Sequence, residues 1–303
     1  MHNILITGAS GFLGRATLKS LLLNPEIFVF VAYRSKTPQS FLSQLDKSRS
    51  YIFNVEIEAE IMELFSKFEI KTILHLATNY GRHNQNIDSV LSANLVLPLT
   101  LLTHGVSANV KHFVNIDSFY NKVGNLNEEL FNYSQSKKAL IPWLKQYSNQ
   151  TKVSNLILEH MYGPGDAEDK FIPTLIKSSL CDFSDGLKLS RGEQERDFIF
   201  VDDVVSAIQA VLDEGINMNK RERVGYQDIG VGHGKGTSLI QLADVINSIT
   251  GTSLPAPFLD TPYKRHEIMS SVADNSKLIS LGWAPKIDLV SGLTRTTEFY
   301  GHQ

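Results

Sequence analysis

Strand and helix signals alternate along the first half of the chain. That rhythm predicts an α/β fold: a doubly wound parallel sheet with a smaller, interleaved C-terminal lobe. Two further observations support it. Three glycines (Gly8, Gly11 and Gly14) stand where the first apolar run gives way to helical periodicity, and the strand runs are short, continuous and rich in β-branched and aromatic residues, as buried parallel strands require.

Each element follows from its own pattern. Ile4 to Ile6 are apolar and place a strand at 3–7. Phe12, Leu13, Ala16, Leu18 and Leu21 to Leu23 recur at helical spacing and define a helix at 12–23. The run from Ile27 to Tyr33 is a second strand, and a third lies near 51–54. Ile57, Ile61, Leu64, Phe65 and Phe68 share one face of a helix at 57–68. A strand at 71–77, a helix at 86–105, a strand at 111–116, a helix at 132–147 and a strand at 153–158 complete the regular part. After Gly163-Pro164-Gly165 the rhythm becomes irregular; 202–212 and 238–249 read as helices, and 226–229 as one more strand of the main sheet. The expected division is a first domain over 1–162, with 196–251 returning to it, and a lobe built from 163–195 and 252–303.

With 303 residues, 42% hydrophobic, 20% charged and a formal net charge of −3, the chain gives no electrostatic reason to expect a nucleic-acid partner. The lone Cys181 suits a reducing, cytoplasmic setting, and Met1-His2-Asn3 leads directly into the first strand, leaving no room for a signal peptide. The most apolar stretch, 90–106, contains Asn94, Pro98 and His104; it is expected to fall short of a membrane span, so no membrane partner is expected.

The glycines carry the first chemistry. Gly8 permits a tight turn, Gly11 lets backbone approach a pyrophosphate, and Gly14 lets the helix pack closely, while free N–H groups at the helix start favour phosphate charge. This is the Rossmann-type arrangement for a dinucleotide. The second strand ends in Arg34-Ser35-Lys36 with no Asp or Glu to take a ribose 2′-hydroxyl, which favours NADP over NAD; Arg15 adds a second positive charge. The stretch Gly230-Val-Gly-His-Gly-Lys235-Gly-Thr-Ser238 is only a lookalike of a phosphate loop, because Gly236 stands where Ser or Thr is required; a turn before a helix is expected. The nine histidines show no metal-ligand spacing: His75 reads as a packed strand residue, and no metal is expected.

Proton chemistry comes from Tyr133 and Lys137, four apart on one helix face, with Ser118 just past the fifth strand. A tyrosine with an ordinary pKa of about 10 is a poor acid or base at neutral pH, and a nearby ammonium is expected to lower it. The Ser118 hydroxyl would hydrogen-bond a substrate carbonyl and share the proton path.

In order along the chain, Thr7-Gly8-x-x-Gly11-x-x-Gly14, His75-Leu-Ala77, Asn94, Ser118, Tyr133-x-x-x-Lys137, Tyr162-Gly-Pro-Gly165, Arg196-Asp-Phe-Ile-Phe-Val-Asp-Asp203 and Leu281-Gly-Trp283-x-Pro285 resemble the extended short-chain dehydrogenase/reductase family over essentially the full length. The resemblance implies cofactor contacts from Gly8, Ser10, Gly11, Phe12, Leu13 and Gly14, from Arg34, from Leu76, Ala77 and Thr78, from Asn94, and from Tyr133 and Lys137. It implies that the C-terminal lobe binds a nucleotide sugar, with Arg196 and Lys264 or Arg265 on the diphosphate and Lys170 and Phe171 lining the same site. Thr78, Asn79, Ser118, Phe119 and His160 are the other substrate contacts it implies.

Within the family the stretches His75-Leu-Ala-Thr-Asn-Tyr-Gly81, Asp117-Ser-Phe119, Leu158-Glu-His-Met-Tyr-Gly-Pro-Gly-Asp166 and Gly192-Glu-Gln-Glu-Arg-Asp-Phe-Ile-Phe-Val-Asp-Asp203 look like those of reductases of nucleotide-linked 4-keto-6-deoxyhexoses. That likeness implies NADPH-dependent reduction of a C4 ketone on a CDP- or dTDP-linked sugar, supplying a deoxysugar donor for surface polysaccharide, and a homodimer built through a four-helix bundle. Ile157 stands where many members have Arg and His160 where they have Asn, while Asn54 is near the place of an adenine-contacting Asp. A 4,6-dehydratase would carry Asp-Glu after the serine, where this chain has Phe119-Tyr120. An NAD-dependent 4-epimerase shares Ser, Tyr and Lys and stays open as the alternative. A cofactor sensor without catalysis would have no need of those three residues.

Overall fold

The computed structural model describes residues 1–82, 85–121, 130–180, 190–217, 224–252, 263 and 267–301. They form two compact units: Met1–Ile157 with Ile208–Ile229, and Leu158–Ala207 with Gly230–Gln303.

The first unit is built on a seven-stranded sheet: β1 (His2–Thr7), β2 (Ile27–Tyr33), β3 (Ser50–Asn54), β4 (Thr72–His75), β5 (His112–Ser118), β6 (Lys152–Leu158) and β9 (Gly225–Val231) lie in the order β3-β2-β1-β4-β5-β6-β9. The pairs β1–β2, β1–β4, β2–β3 and β4–β5 are parallel. The order reverses between β1 and β4, and in such sheets ligands bind at the carboxyl ends beside that reversal. Parallel strands covered on both faces must be apolar throughout, and Ile4, Leu5, Ile6, Val29, Phe30, Ile73 and Leu74 are all buried.

Helices α1 (Phe12–Leu23), α3 (Glu58–Lys67), α5 (Leu97–Ser107) and α6 (Phe131–Tyr147) belong to this unit, with short α2 (Gln39–Leu42) and α4 (Ile87–Leu91). Leu101, Leu102, Leu140 and Leu144 join Leu5, Ile73, Phe113 and Val153 in one core. Phe30, Tyr51 and Phe68 extend it with tilted ring pairs 5.0–5.9 Å apart. Two residues placed on the buried faces lie outside them: Leu23 and Ile57 are 77% and 45% exposed, because each stands at a helix end.

The helix expected at 86–105 is interrupted. A π-helical turn, Ser92–Val96, separates α4 from α5. Pro98 supplies the local cause, since it has no N–H to return to the Asn94 carbonyl. The run Ile87–Ser107 is, by length and composition, long and apolar enough to cross a membrane, which corrects the expectation that it falls short. Its Val90, Leu101, Leu102 and Gly105 are nonetheless buried, and a Cβ on Gly105 would lie 2.7 Å from Ile73 Cδ1. Asn109 ends this helix with φ of 65°, a left-handed conformation that Asn tolerates.

The second unit has its own small sheet. Its central strand β8 (Glu195–Phe200) pairs in parallel with β7 (His160–Tyr162) and β11 (Ser270–Ser271), and antiparallel with β10 (Gly236–Ser238). These partners explain a correction to the expected boundaries. Residues 196–207 and 230–251 belong to the second unit, and only 208–229 return to the first. Helices α7 (Phe171–Leu180), α9 (Leu239–Thr250) and α11 (Leu289–Gly301) pack on one another. Short α10 (Ser276–Ser280) precedes Trp283, whose Nε1 donates to Ser206 Oγ at 2.8 Å near the start of α8 (Val201–Ile216). Ser238 caps α9 through a reciprocal capping box with Gln241, and Gly251 closes it at φ of 69°.

The phosphate-loop lookalike is a turn wrapped around a carboxylate. Asp197 is fully buried and accepts from the amides of His233 (2.7 Å), Gly234 (2.9 Å) and Ala273 (3.0 Å). A Cβ on Gly232 would lie 2.3 Å from Asp197 Oδ2, so only glycine admits that approach. Asp197→Ala strands three buried donors and should lower unfolding stability by about 3 kcal/mol in a denaturant titration.

Candidate active site

The turn after β1 is closed by backbone contact alone. Gly8 has φ of 70°, and a Cβ there would meet the Ala77 nitrogen at 2.6 Å. A Cβ on Gly14 would lie 2.0 Å from the Gly8 carbonyl oxygen, so Gly14 lets α1 close on the turn itself. Gly11 donates to the Gly8 carbonyl at 3.0 Å and is the N-cap of α1, with no side-chain cap and no acidic residue in the first turn. The α1 amides are thus not capped from within, and the cradle fits the pyrophosphate of a dinucleotide. Ser10, Phe12 and Leu13 stand on this turn; the Ser10 carbonyl accepts from Arg15 Nε at 2.8 Å, and the Arg15 guanidinium sits over the Phe41 ring at 5.0 Å.

β4 delivers the next group. His75 is fully buried, its Nδ1 2.9 Å from Thr7 Oγ1, and burial holds it well below its usual pKa, so it is a packed strand residue as expected. Leu76 is buried, and the Ala77 amide donates to Thr7 Oγ1 at 3.1 Å. Asn94, expected to touch cofactor, is fully buried and occupied by the chain. Its Oδ1 accepts from Thr78 Oγ1 (3.2 Å) and the Asn79 amide (2.8 Å), and its Nδ2 donates to the Asn79 carbonyl (2.8 Å) and Ser136 Oγ (2.9 Å). It therefore positions the Thr78–Asn79 segment against α6, from its place on the π turn. The Asn79 side chain is spent in the same way, on the Gly81 amide and Ser89 Oγ.

Ser118, Tyr133 and Lys137 come together at the end of β5. The Tyr133 ring packs on Tyr80 at 4.8 Å and meets Tyr120 edge-on at 6.4 Å, and Ser118 Oγ accepts from the Tyr120 amide at 3.3 Å. Phe119 stacks on Tyr120 at 4.1 Å. Lys137 donates from Nζ to the Ile116 carbonyl at 2.8 Å. Burial raises Tyr133 well above its usual pKa, and the neighbouring Ser118 hydroxyl only partly opposes it. Burial also lowers Lys137 to about 8, against the pull of Asp117. The expected lowering of the tyrosine is not met: burial is the largest influence on Tyr133 and moves it toward the neutral form.

Asp117 was missed in the sequence, although it directly precedes Ser118. Its carboxylate accepts from the Ser118 amide (2.8 Å), Asn121 Nδ2 (2.5 Å) and Asn155 Nδ2 (3.0 Å). Burial raises its pKa while those bonds oppose it. Asn155 also donates to Asp228 at 2.8 Å, tying β9 into the same network.

A second omission is Glu56. No acid ends β2, but one arrives from β3. Ser35 donates to Glu56 Oε2 from its amide (2.7 Å) and its hydroxyl (2.6 Å). The parallel register foretells it: Tyr33 pairs with Asn54, and Ser35 and Glu56 stand two residues beyond each. Asn54 itself receives Glu60 Oε2 at its amide, 2.6 Å away.

In the second unit His160, Lys170 and Arg196 are near enough to act on one another. Burial, with Arg196 and Lys170 adding to it, lowers His160 to about 3. Arg196 pairs with Glu267 at 2.7 Å and also donates to the Glu195 and Ile268 carbonyls. Lys170, the residue before Phe171 opens α7, pairs with Asp166 at 2.7 Å. Lys264, Arg265 and Cys181 lie outside the described residues. Among the described residues no His, Cys, Asp and Glu grouping suited to a metal occurs.

Lys137 gives a pH signature. Its folded pKa of about 8 lies below the 10.5 of the free side chain, so between those values the unfolded chain binds more protons and stability rises with pH. Relative to Lys137→Met, the native protein should gain on the order of 3 kcal/mol across that window. Unfolding titrations at several pH values read this slope, and parallel slopes for both proteins would refute it.

The profile of the NAD dependent epimerase/dehydratase family matches residues 4–225. CDP-abequose synthase of Salmonella typhimurium is 33% identical over 298 residues, covering 96% of this chain and 95% of that protein. The dTDP-glucose 4,6-dehydratase of Haemophilus influenzae is 26% identical, over 99% and 98% of the two chains. Among solved structures, UDP-glucose 4-epimerase of Thermotoga maritima with UDP-glucose superposes with a TM-score of 0.79 at 23% identity, covering 98% of each chain. UDP-glucuronic acid 4-epimerase of Bacillus cereus, with UDP-glucuronic acid and NAD, gives 0.79 at 23% identity over 99% of each chain. With the glycine turn and the seven-stranded sheet in place, the expected resemblance is met: the chain belongs to the NAD dependent epimerase/dehydratase family.

Proposed function

We propose that this chain is an NADPH-dependent reductase of the C4 ketone of a CDP- or dTDP-linked 4-keto-6-deoxyhexose, making a deoxysugar donor for a surface polysaccharide such as an O-antigen. The observation that carries the reading is Tyr133: it is buried, and burial raises its pKa, which keeps it in the protonated form that a reduction must have. Likeness to CDP-abequose synthase along nearly the whole chain supports the substrate class.

The bound nicotinamide would supply the hydride. Tyr133 would give its proton to the developing C4 alkoxide, and the Ser118 hydroxyl would hydrogen-bond the same oxygen. Lys137, fixed on the Ile116 carbonyl, and Asp117 beneath Ser118 hold these groups in register. The Gly8–Gly14 cradle would hold the dinucleotide, and Arg34 would meet its 2′-phosphate. In the second unit Arg196 and Lys170 are the candidate diphosphate ligands, and either would have to exchange its carboxylate partner for the substrate. Val96, Phe131 and Trp143 leave exposed apolar surface on the π turn and α6, which supports a homodimer; a cytoplasmic location rests on the sequence alone.

Glu56 favours the second reading, an NAD-dependent nucleotide-sugar 4-epimerase, because an acid beside the β2 end suits an unphosphorylated ribose. Dehydration is disfavoured by Phe119-Tyr120 after Ser118, where two acidic groups would be needed.

NADPH oxidation with CDP- and dTDP-linked 4-keto-6-deoxyglucose, each as the 3-deoxy and 3-hydroxy form, tests the proposal, with products identified by NMR. Turnover of one is expected, and Tyr133→Phe should lower kcat by about a hundredfold or more with KM little changed. Failure with all four, together with tightly bound NAD in the purified protein, would favour the epimerase.

A further inference from the structure

The turn after β2 is assembled to hold an anion. The Thr37 amide closes it on the Arg34 carbonyl at 2.7 Å, and Thr37 Oγ1 accepts from the Arg34 amide at 3.0 Å. That closure presents the Ser35 amide and hydroxyl together, between the side chains of Arg34 and Lys36. Two donors and two cations on three consecutive residues are the groups that a phosphate monoester recruits. In this structure an internal anion already has them: both Ser35 donors reach a single oxygen, Glu56 Oε2.

We infer that Glu56 sets the choice of cofactor at the adenosine 2′ position, its carboxylate occupying on the Arg34–Thr37 turn the place that a 2′-phosphate would take. The inference deepens the reading of the cofactor given under Proposed function and rests on it for the location of the ribose. A 2′-phosphate must displace the carboxylate to reach Ser35, and Arg34 and Lys36 must then leave one anion for the other. An unphosphorylated ribose displaces nothing, because its 2′-hydroxyl can donate to a carboxylate that stays where it is. Glu56 therefore opposes NADPH and tolerates NADH, and it narrows the preference that Arg34 and Lys36 would otherwise impose. The Ser35 hydrogen bonds, with Arg34 and Lys36 beside them, hold the Glu56 carboxyl below its ordinary pKa, so the competitor is charged throughout the neutral range. Glu56 and Ser35 are both exposed, so the exchange requires only a side-chain rotation and no opening of the core.

The test is equilibrium binding, independent of turnover. Calorimetry with 2′,5′-ADP and with ADP isolates the 2′-phosphate, and nicotinamide fluorescence gives the same comparison for NADPH and NADH. Glu56→Gln and Glu56→Ala should each tighten 2′,5′-ADP and NADPH by about fivefold or more, leaving ADP and NADH unchanged or weaker. Glu63→Gln, on the same sequence stretch but paired with Lys67 at the surface, should shift neither ratio. Unchanged or weaker 2′,5′-ADP binding in both Glu56 variants overturns the inference, as does an equal gain from Glu63→Gln, which would mean bulk charge alone. The two claims fail separately: a native protein that prefers ADP and NADH contradicts the NADPH reading, while the Glu56 variants still report whether this carboxylate competes.

Discussion

Three backbone segments meet at Gly8 with no space for a side chain between them. The Ala77 nitrogen would lie 2.6 Å from a Gly8 Cβ, and the Gly8 carbonyl oxygen 2.0 Å from a Gly14 Cβ. This contact fixes the end of β1, the start of α1 and the end of β4 relative to one another. The uncapped α1 amides, the Thr7–His75–Ala77 hydrogen bonds and the Thr78–Asn79 segment all take their positions from it. Asn94 then carries the same frame across to α6 through Ser136, whose hydroxyl is also bonded to the Tyr133 carbonyl at 2.7 Å. Tyr133 is thus positioned, through a chain of buried bonds, by a turn that tolerates only glycine.

Burial, more than neighbouring charge, governs the titrating groups at this site. Tyr133 is 5% exposed and Lys137 is 2% exposed, and both are pushed toward their neutral forms. A neutral tyrosine favours delivery of a proton over its removal. Asp117 works in the opposite sense on the lysine, helping it stay charged, while its own carboxylate is satisfied by Ser118, Asn121 and Asn155. The serine, tyrosine and lysine therefore sit on a supporting polar network that also reaches Asp228.

Groups that could receive phosphate are repeatedly met by the chain's own carboxylates. Arg196 holds Glu267, Lys170 holds Asp166, Ser35 holds Glu56, and the glycine loop near His233 closes on Asp197. These cases differ physically. Asp197 is fully buried with three amide donors, a permanent structural fixture, whereas Glu56 is exposed and held by a single residue. Burial separates a carboxylate fixed in the fold, such as Asp197, from one such as Glu56, which exchanges its partner for water or phosphate at small cost.

The strand–helix alternation, the glycine turn and the Tyr133–Lys137 spacing were legible because each depends on neighbours within a few residues, where backbone geometry dictates residue type. The strands at 27–33 and 153–158 and the helix at 12–23 lie where their periodicity puts them. The π turn at Ser92–Val96, the place of 196–207 and 230–251 in the second unit, and the surroundings of Glu56, Asp117 and Asn94 came only from the tertiary structure. Each depends on groups brought together from distant positions: Glu56 meets Ser35 through strand register, and β8 finds its partners in β7, β10 and β11. Sequence determined which residue types could do the chemistry, because local spacing encodes them. Tertiary structure decided their protonation and partners, because desolvation and long-range pairing exist only once the chain has folded.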